Sequence, residues 1–563
     1  MPQQIARISL RFAGSLLALA ILAGCSGGAG NPAEPDTEGS PLRARLVTTE
    51  QYQNSLAYIF GPSVDVRVQF APPQRTEGLV ANGAANAGLS ETQVEQFQRA
   101  ASGVAEQVVD DNHREYLLPC QPADAKSADN DCASAFLSKV GRLLYRRTLH
   151  DEELARYVDV AGTAADRLED FYEGVAMALE GMLINAEVLF VVERAESDPQ
   201  NPDKMRLDAH SFASRLSYFL WNASPDDELL TMAETGLLDT YEGRTQAVDR
   251  LLASSRLEDG MRAFFADMLQ FQGGSLSKDP TIYPQFTSVT AAAAREQTLR
   301  TMVDFLIERD NDYRDLFTSR TTFITPALAP LYDVAAAPGW TSYTFPEDSP
   351  RVGLLSQISF LAQHSHPGRS SPTLRGIGLR EVFFCQEVPA PPPGVNFAEV
   401  INPAKGYPTQ RDRVAVHVEN PSCAGCHRIM DPPGLALENF DGSGRFRTTE
   451  NGVAIDPSGQ LDGVEFQDVS GLYQAVRNNE ALPTCFANRL YSYGSGGPME
   501  NRSLLDFLVE AFSEDGYRVP ELLRTIATSN AFSRVHLTGK EGSTVAQESL
   551  GQQHGALPQL AHN

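Results

Sequence analysis

Residues 211–230 read SFASRLSYFLWNASPDDELL, and this stretch decides the fold class. In its first half Phe212, Leu216, Phe219 and Leu220 recur at the spacing of one helical face. In its second half the chain stops and restarts. Ser224 is placed to cap, Pro225 suits the first helical position, and Asp226, Asp227 and Glu228 load the first turn with negative charge. A helix that ends and is followed at once by another predicts helix packed on helix, with no strand between.

The same pattern extends in both directions. Upstream, ASAFLSKVGRLLYRR (133–147) puts Phe136, Leu137, Val140, Leu143 and Leu144 on one face. Thr148 and Asp151 form a capping-box pattern for a helix with Leu154, Tyr157 and Val158 inward. DFYEGVAMALEGMLINAEVLF (170–190) is another amphipathic run. Downstream, long helical segments are predicted over 243–271 and 288–317. RVGLLSQISFLAQHSHPGRSSPTLRGIGLREVFFCQ (351–386) reads as two helices around a polar loop. Pro391, Pro392 and Pro393 force EVPAPPPGVNF into an extended polyproline segment. A loop-rich portion with short strands near Val453 and Leu461 precedes two closing helices, near 468–491 and 501–532. The tail 540–563 is polar and predicted disordered. No internal repeat, heptad run or helix–strand alternation is present. The expectation is a mainly α, multi-helical, multidomain protein.

Charge narrows the partners. The 46 basic and 72 acidic residues leave a formal net charge of −26. Such a chain is a poor ligand for nucleic acid or an anionic membrane surface, so membrane attachment requires an anchor. The N-terminus offers one. Arg7 and Arg11 precede a short apolar run, which closes in Leu22-Ala23-Gly24-Cys25. This resembles a bacterial lipobox: residues 1–24 would be removed and Cys25 lipidated. Ser26 rather than Asp after the cysteine points to the outer membrane, and residues 25–42 read as a flexible tether.

Export changes how the remaining six cysteines are read, because disulfides persist outside the cytosol. Cys120 and Cys132 flank a polar loop that a disulfide closes easily. Cys385 and Cys485 remain as a long-range pair, the alternative being four buried thiols. Cys423 and Cys426 belong to ENPSCAGCHRIMDPPG (419–434), where His427 completes C-x-x-C-H. Two thiols so spaced suit the two vinyl groups of a haem, with the next histidine placed to coordinate iron. A zinc site would need a second ligand pair, and no second C-x-x-C exists. A thioredoxin-like dithiol would need a βαβ context, which is lacking. Haem c is the expected cofactor.

These residues also resemble a family. PSCAGCHRIMDPPGLALENFDGSGRFR (421–447) is similar to the haem-motif segment of large exported bacterial proteins carrying domain of unknown function 1592 and its companions 1587, 1595, 1588 and 1585. TTEQYQNSLAYIFG (48–61) resembles the 1587 type, RLLYRRTLHDEELARY (142–157) the 1595 type, and LDAHSFASRLSYFLWNASPDDELL (207–230) the 1592 core. Residues 351–395 resemble the 1588 type, while CFANRLYSYGSGG (485–497) and LLRTIATSNAFSRV (522–535) resemble the 1585 type. Ser495 departs from the arginine usual in related chains, and Ser370-Ser371-Pro372 usually begins with Thr. The resemblance implies helical units over 43–119, 120–196, 203–335, 345–450 (the cytochrome c-like haem region) and 464–535. The family has no established reaction.

A second axial ligand is sought among His417, which matches a histidine such chains tend to carry before the motif, Met499 after a Gly-rich loop, and the His364/His366 loop. An open iron position is the alternative. Met430, three residues past His427, projects from the same side and reads as packing. Arg369 and Arg375 are candidates for haem propionates, with Arg445 and Arg447 behind them. Asp431, Glu438 and Asp441 are expected to fix turns. Ser275-Leu276-Ser277-Lys278 fits S-x-x-K without its companion motifs and carries no weight. The functional expectation is a lipid-anchored envelope protein with one covalent haem that exchanges electrons with a redox partner protein. The rivals are haem-dependent oxidase or peroxidase chemistry on an extracellular substrate, or a non-catalytic binding scaffold.

Overall fold

Residues 211–221 form the helix Ala209–Trp221, and every side chain from Ser211 to Trp221 is buried. This is the central strut of a computed structural model that describes residues 33–537. Residues 69, 273–275, 336, 390–406 and 420 are outside the description, as are the side chains of 417 and 422. The lipobox with Cys25, most of the polyproline segment and the tail therefore lie outside the described residues.

The chain is mainly helical, and its helices gather on two large cores. Residues 46–191 build the first, around Phe60, Phe97, Phe136, Leu137, Phe171 and Met182. Here Asp151–Leu168 and Phe171–Leu183 form a helical hairpin. A Cβ at Gly174 would fall 2.3 Å from the Ala161 carbonyl oxygen, so only glycine permits that approach. Residues 207–535 build the second core, together with Leu79, around Phe219, Phe264, Phe317, Phe383, Phe486, Phe512 and Phe532. The three segments read as separate units after residue 203 thus share one interior. A smaller cluster holds Phe286, Ile324, Leu328, Tyr332 and Ile358.

Several boundaries differ from the sequence reading. The restart after Trp221 is capped by Asp226, not Ser224: its Oδ1 accepts from Leu229 N–H at 2.9 Å, at the start of Asp227–Glu234. The ionised carboxylate is the stronger acceptor, while the Ser224 backbone N–H donates to Ser55 Oγ at 2.9 Å. Likewise Glu153 accepts from His150 N–H at 2.8 Å, while the Thr148 hydroxyl turns to Glu234 at 2.8 Å. The run 243–271 splits into Tyr241–Leu252 and Leu257–Met268. Ser254 accepts from Arg256 N–H there, a local bond that competes with helix continuation. Ser288–Val303 ends in a wide π turn, and Asp310 with positive φ separates it from Tyr313–Phe317. The two closing helices are five: Val469–Arg477, Ala481–Ser495, Arg502–Glu514, Val519–Thr528 and Asn530–Ser533.

The stretch read as a tether is docked over its described part. Ser40–Pro41 pairs in parallel with Arg534–His536 in a four-stranded sheet completed by Asn201–Leu207 and Ala195–Asp198. Glu34 accepts from Ala531 N–H at 2.8 Å, and Asp36 pairs with Lys204 at 2.6 Å and Arg534 at 2.7 Å. Complementary charge, which composition alone does not reveal, holds the segment. The short strands near Val453 and Leu461 form two hairpins, each closed by a dipeptide with two positive φ values, Asn451-Gly452 and Asp462-Gly463. No described helix is long and apolar enough to cross a membrane.

Candidate functional site around the C-x-x-C-H helix

The motif lies in the helix Pro421–Ala436. In helical geometry Cys423, Cys426 and His427 share one side, at i, i+3 and i+4. Two disulfides consume the other described cysteines, Cys120–Cys132 and Cys385–Cys485, whereas Cys423 and Cys426 remain half-buried thiols. Further along the same stripe, at Met430 and Gly434, the helix is pinned backbone to backbone. A Cβ at Gly434 would fall 1.8 Å from the Pro372 oxygen, and one at Gly376 would fall 1.7 Å from the Met430 oxygen. Met430 is 5% exposed and packs, as its spacing from His427 implied. Pro433 cannot donate to the Ile429 carbonyl; Arg380 does so instead, at 3.3 Å.

Asp431, expected to fix a turn, does more than that. Its Oδ2 meets His427 Nδ1 at 2.8 Å while its Oδ1 accepts from Thr373 Oγ1 at 2.8 Å. The carboxylate is an acceptor, so Nδ1 carries a proton toward it. The i to i+4 spacing of His427 and Asp431 was the signal available in sequence.

His427 and Asp431 line a cleft of about 450 Å³ between Gln410–Glu419 and the motif helix. Val414, Ala415, Val418, Pro432 and Leu435 make it apolar, and Arg411 and Arg428 bring positive charge. The first of these helices is anchored by the Arg413–Glu450 ion pair and by Gln410 Nε2 donating to the Ser370 carbonyl at 2.9 Å. Apart from His427 and Asp431, none of these lining residues was singled out from the sequence, because an apolar face on so short a helix resembles any core face.

The other expected site residues divide. Arg375 is fully buried; its guanidinium donates to the carbonyls of Leu437, Phe440, Asp441 and Leu361 and pairs with Glu438. It is a cross-brace: both Nη nitrogens are engaged, and its buried Nε has no acceptor among the described residues. Arg447 is similarly engaged with Glu438 and Ser370, and Arg445 is exposed. Asp441 fixes its turn by accepting from Ser443 and Arg445 N–H. Arg369 is half-buried with no carboxylate in ion-pair range among the described residues, and burial and then Arg413 weaken its hold on its proton. It is an anion-seeking side chain, although it does not line the cleft. Met499 is elsewhere: it packs on the larger core, and its neighbours Gly496 and Gly497 abut Arg45 and Arg43. A glycine-rich loop before a methionine was a motif without its context. His417 belongs to the cleft helix, its side chain outside the described residues. Lys278 donates to the carbonyls of Ala362, Ser365 and His366, a structural duty unrelated to S-x-x-K.

His364 is also away from the cleft, packed against Phe360 and Gly378. Burial first, then Arg375 and Lys278, pull its pKa down from 6.5 to about 4. The fold therefore holds it neutral, and protonation favours the unfolded chain. Its contribution is complete above about pH 6.5 and is lost as pH falls toward 4, at about 1.4 kcal/mol per pH unit. In urea unfolding, the wild type should lose about 2 kcal/mol more than His364→Gln between pH 7 and about 4.5. Equal losses would contradict this placement of the imidazole.

Five family models match the chain in succession, each described as a protein of unknown function: DUF1587 over residues 45–110, DUF1595 over 132–193, DUF1592 over 207–334, DUF1588 over 351–450 and DUF1585 over 462–532. No curated protein and no solved structure matches it. The C-x-x-C-H helix and its cleft helix fall within residues 351–450. The chain therefore carries the domains of unknown function 1587, 1595, 1592, 1588 and 1585 in that order, and the candidate site belongs to the fourth of them.

Proposed function

We propose that the protein is an exported lipoprotein, anchored through Cys25 in the outer membrane, that carries one haem c at Cys423, Cys426 and His427 and exchanges electrons with a redox partner protein. The observation that carries this reading is the cysteine division: four are spent in disulfides, and the two of the motif stay as thiols one helical turn apart, next to the His427 that lines an apolar cleft. Bound there, the haem would supply one-electron chemistry. Attachment adds each S–H across a vinyl group, so sulfur and proton both end on the product and no oxidant is consumed. It requires reduced thiols. The Asp431 carboxylate orients His427, which would hold the iron. The aliphatic lining would keep water from the ring, and Arg411 and Arg428 in the lining, with Arg369 outside it, are the cations proposed for propionates.

Met499 and His364 pack away from the cleft, so His417 or His366 would complete the iron's ligands, or that position would stay exchangeable. That choice separates transfer from the oxidase or peroxidase alternative. Exported in a host with haem-attachment machinery, the protein should give a c-type pyridine haemochrome and a low-spin spectrum indifferent to cyanide. A high-spin haem that binds cyanide would move the reading to catalysis. A protein without haem whose Cys423→Ala/Cys426→Ala variant keeps its cellular role would support a scaffold.

A further inference from the structure

Two buried carboxylates follow the C-x-x-C-H motif, and the fold treats them differently. Glu438 is 2% exposed and shares two guanidiniums, Arg375 at 3.3 Å and Arg447 at 3.0 Å. Asp431 is also 2% exposed, yet no arginine or lysine lies within ion-pair range of it among the described residues. Its one such partner there is the His427 ring, at 2.8 Å from Nδ1 to Oδ2. A carboxylate withdrawn from water without a cation costs several kcal/mol. Asp431 therefore leans on the imidazole for the positive charge that Glu438 draws from arginine.

The placement is fixed from two helices. Asp431 and His427 stand one turn apart on Pro421–Ala436. Thr373, at the start of Pro372–Gly378, donates its hydroxyl to the other carboxylate oxygen at 2.8 Å. The close backbone approaches at Gly376 and Gly434 hold these two helices together. Each carboxylate oxygen thus has its own donor, and turning the group away would lose both. The basic side chains of the cleft offset its charge little. Arg411 is held by Asp456 at 3.2 Å, and Arg428 is exposed, where water and salt screen it.

A carboxylate that pulls on the N–H of a metal-bound imidazole makes the ring a stronger electron donor. A richer ligand, with a negative charge beside it in a low-dielectric interior, favours the higher oxidation state of the metal. We propose that Asp431 sets the reduction potential of the haem site, holding it toward the oxidised state through His427, while Thr373 positions and tempers the carboxylate. This rests on the haem reading above and deepens it. Reduction adds one electron and makes or breaks no bond, so the bias is one of charge and ligand donation alone. A site so biased gives its electron up readily, and the partner that suits it is an electron acceptor.

The test is a spectroelectrochemical titration of the full mature chain, exported with haem-attachment machinery, after haem per chain has been counted by pyridine haemochrome. Asp431→Asn keeps the shape and an acceptor for Nδ1 but removes the charge. It should load haem as the wild type does and shift the balance toward the reduced form about tenfold, the difference between a charge-assisted and a neutral hydrogen bond. For one electron that is a rise of about 59 mV. Thr373→Val keeps the charge and leaves the carboxylate to pull harder on the ring, so it should shift the balance about twofold the other way. A haem-loaded Asp431→Asn within about twofold of wild type would overturn the inference and leave the haem reading standing. So would a Thr373→Val that stays at the wild-type potential or moves with Asp431→Asn, because the carboxylate would then not act by its pull on the ring. If Asp431→Asn does not fold, the direction taken by Thr373→Val decides. A wild type without haem would overturn both the inference and the reading on which it rests.

Discussion

Replacing Arg375 by methionine should remove about 4 kcal/mol of stability, the range seen when one partner of a buried charge pair is deleted. The side chain is fully buried and threads the turn that follows the motif helix. Its Nη1 reaches the Leu437 oxygen at 2.6 Å and the Phe440 oxygen at 2.7 Å; its Nη2 reaches the Asp441 oxygen at 2.6 Å. Methionine fills much of the volume but leaves those carbonyls without donors, and it leaves Glu438, itself buried, with Arg447 as its remaining cation. A buried acceptor stripped of its donor costs about 1–3 kcal/mol, and here several lose theirs together. Lysine keeps the charge but cannot fork across three carbonyls, so Arg375→Lys should fall between the two. Guanidinium unfolding of the mature chain measures the difference. A loss below about 1 kcal/mol would mean that water reaches the turn and that the brace is not one.

Opening the Cys385–Cys485 disulfide should cost about as much. It closes a loop of 100 residues that contains the whole C-x-x-C-H segment and its cleft. Chain-entropy arguments give about 4–5 kcal/mol for a loop of that length and about 3 for one the size of Cys120–Cys132. The bridge also ties Cys385, which has positive φ, to Cys485 in the helix Ala481–Ser495, across the two segments that share the larger core. Cys385→Ala/Cys485→Ala should therefore lower the denaturation midpoint more than Cys120→Ala/Cys132→Ala does. The reverse order would show that the larger core already holds the two segments without the bridge.

Which features were legible follows from the range over which each is determined. Helix existence was local: the Phe212, Leu216, Phe219, Leu220 spacing sufficed, because a 3.6-residue period is written in neighbouring residues. Helix ends were not. Choosing between Ser224 and Asp226 as a cap required knowing that Ser224 would be tied to Ser55 through its backbone. The docking of residues 33–42 was illegible for the same reason, since Lys204 and Arg534 lie far along the chain from Asp36. The disulfide pairs came from the exported context and from elimination. At the candidate site, Cys423, Cys426 and His427 were singled out by spacing alone. The bracing role of Arg375 was illegible because a buried cross-brace and a propionate ligand share one composition and differ only in what surrounds them.

The central claim is that Cys423 and Cys426 carry a haem through thioether bonds, and the mass of the mature chain tests it most directly. The protein should be exported with haem-attachment machinery, denatured, and weighed with disulfides intact. The account predicts a chain heavier by one haem, with the added mass on the peptide spanning residues 421–436 and absent from Cys423→Ala/Cys426→Ala. A chain of unmodified mass, with both thiols open to alkylation, would contradict it.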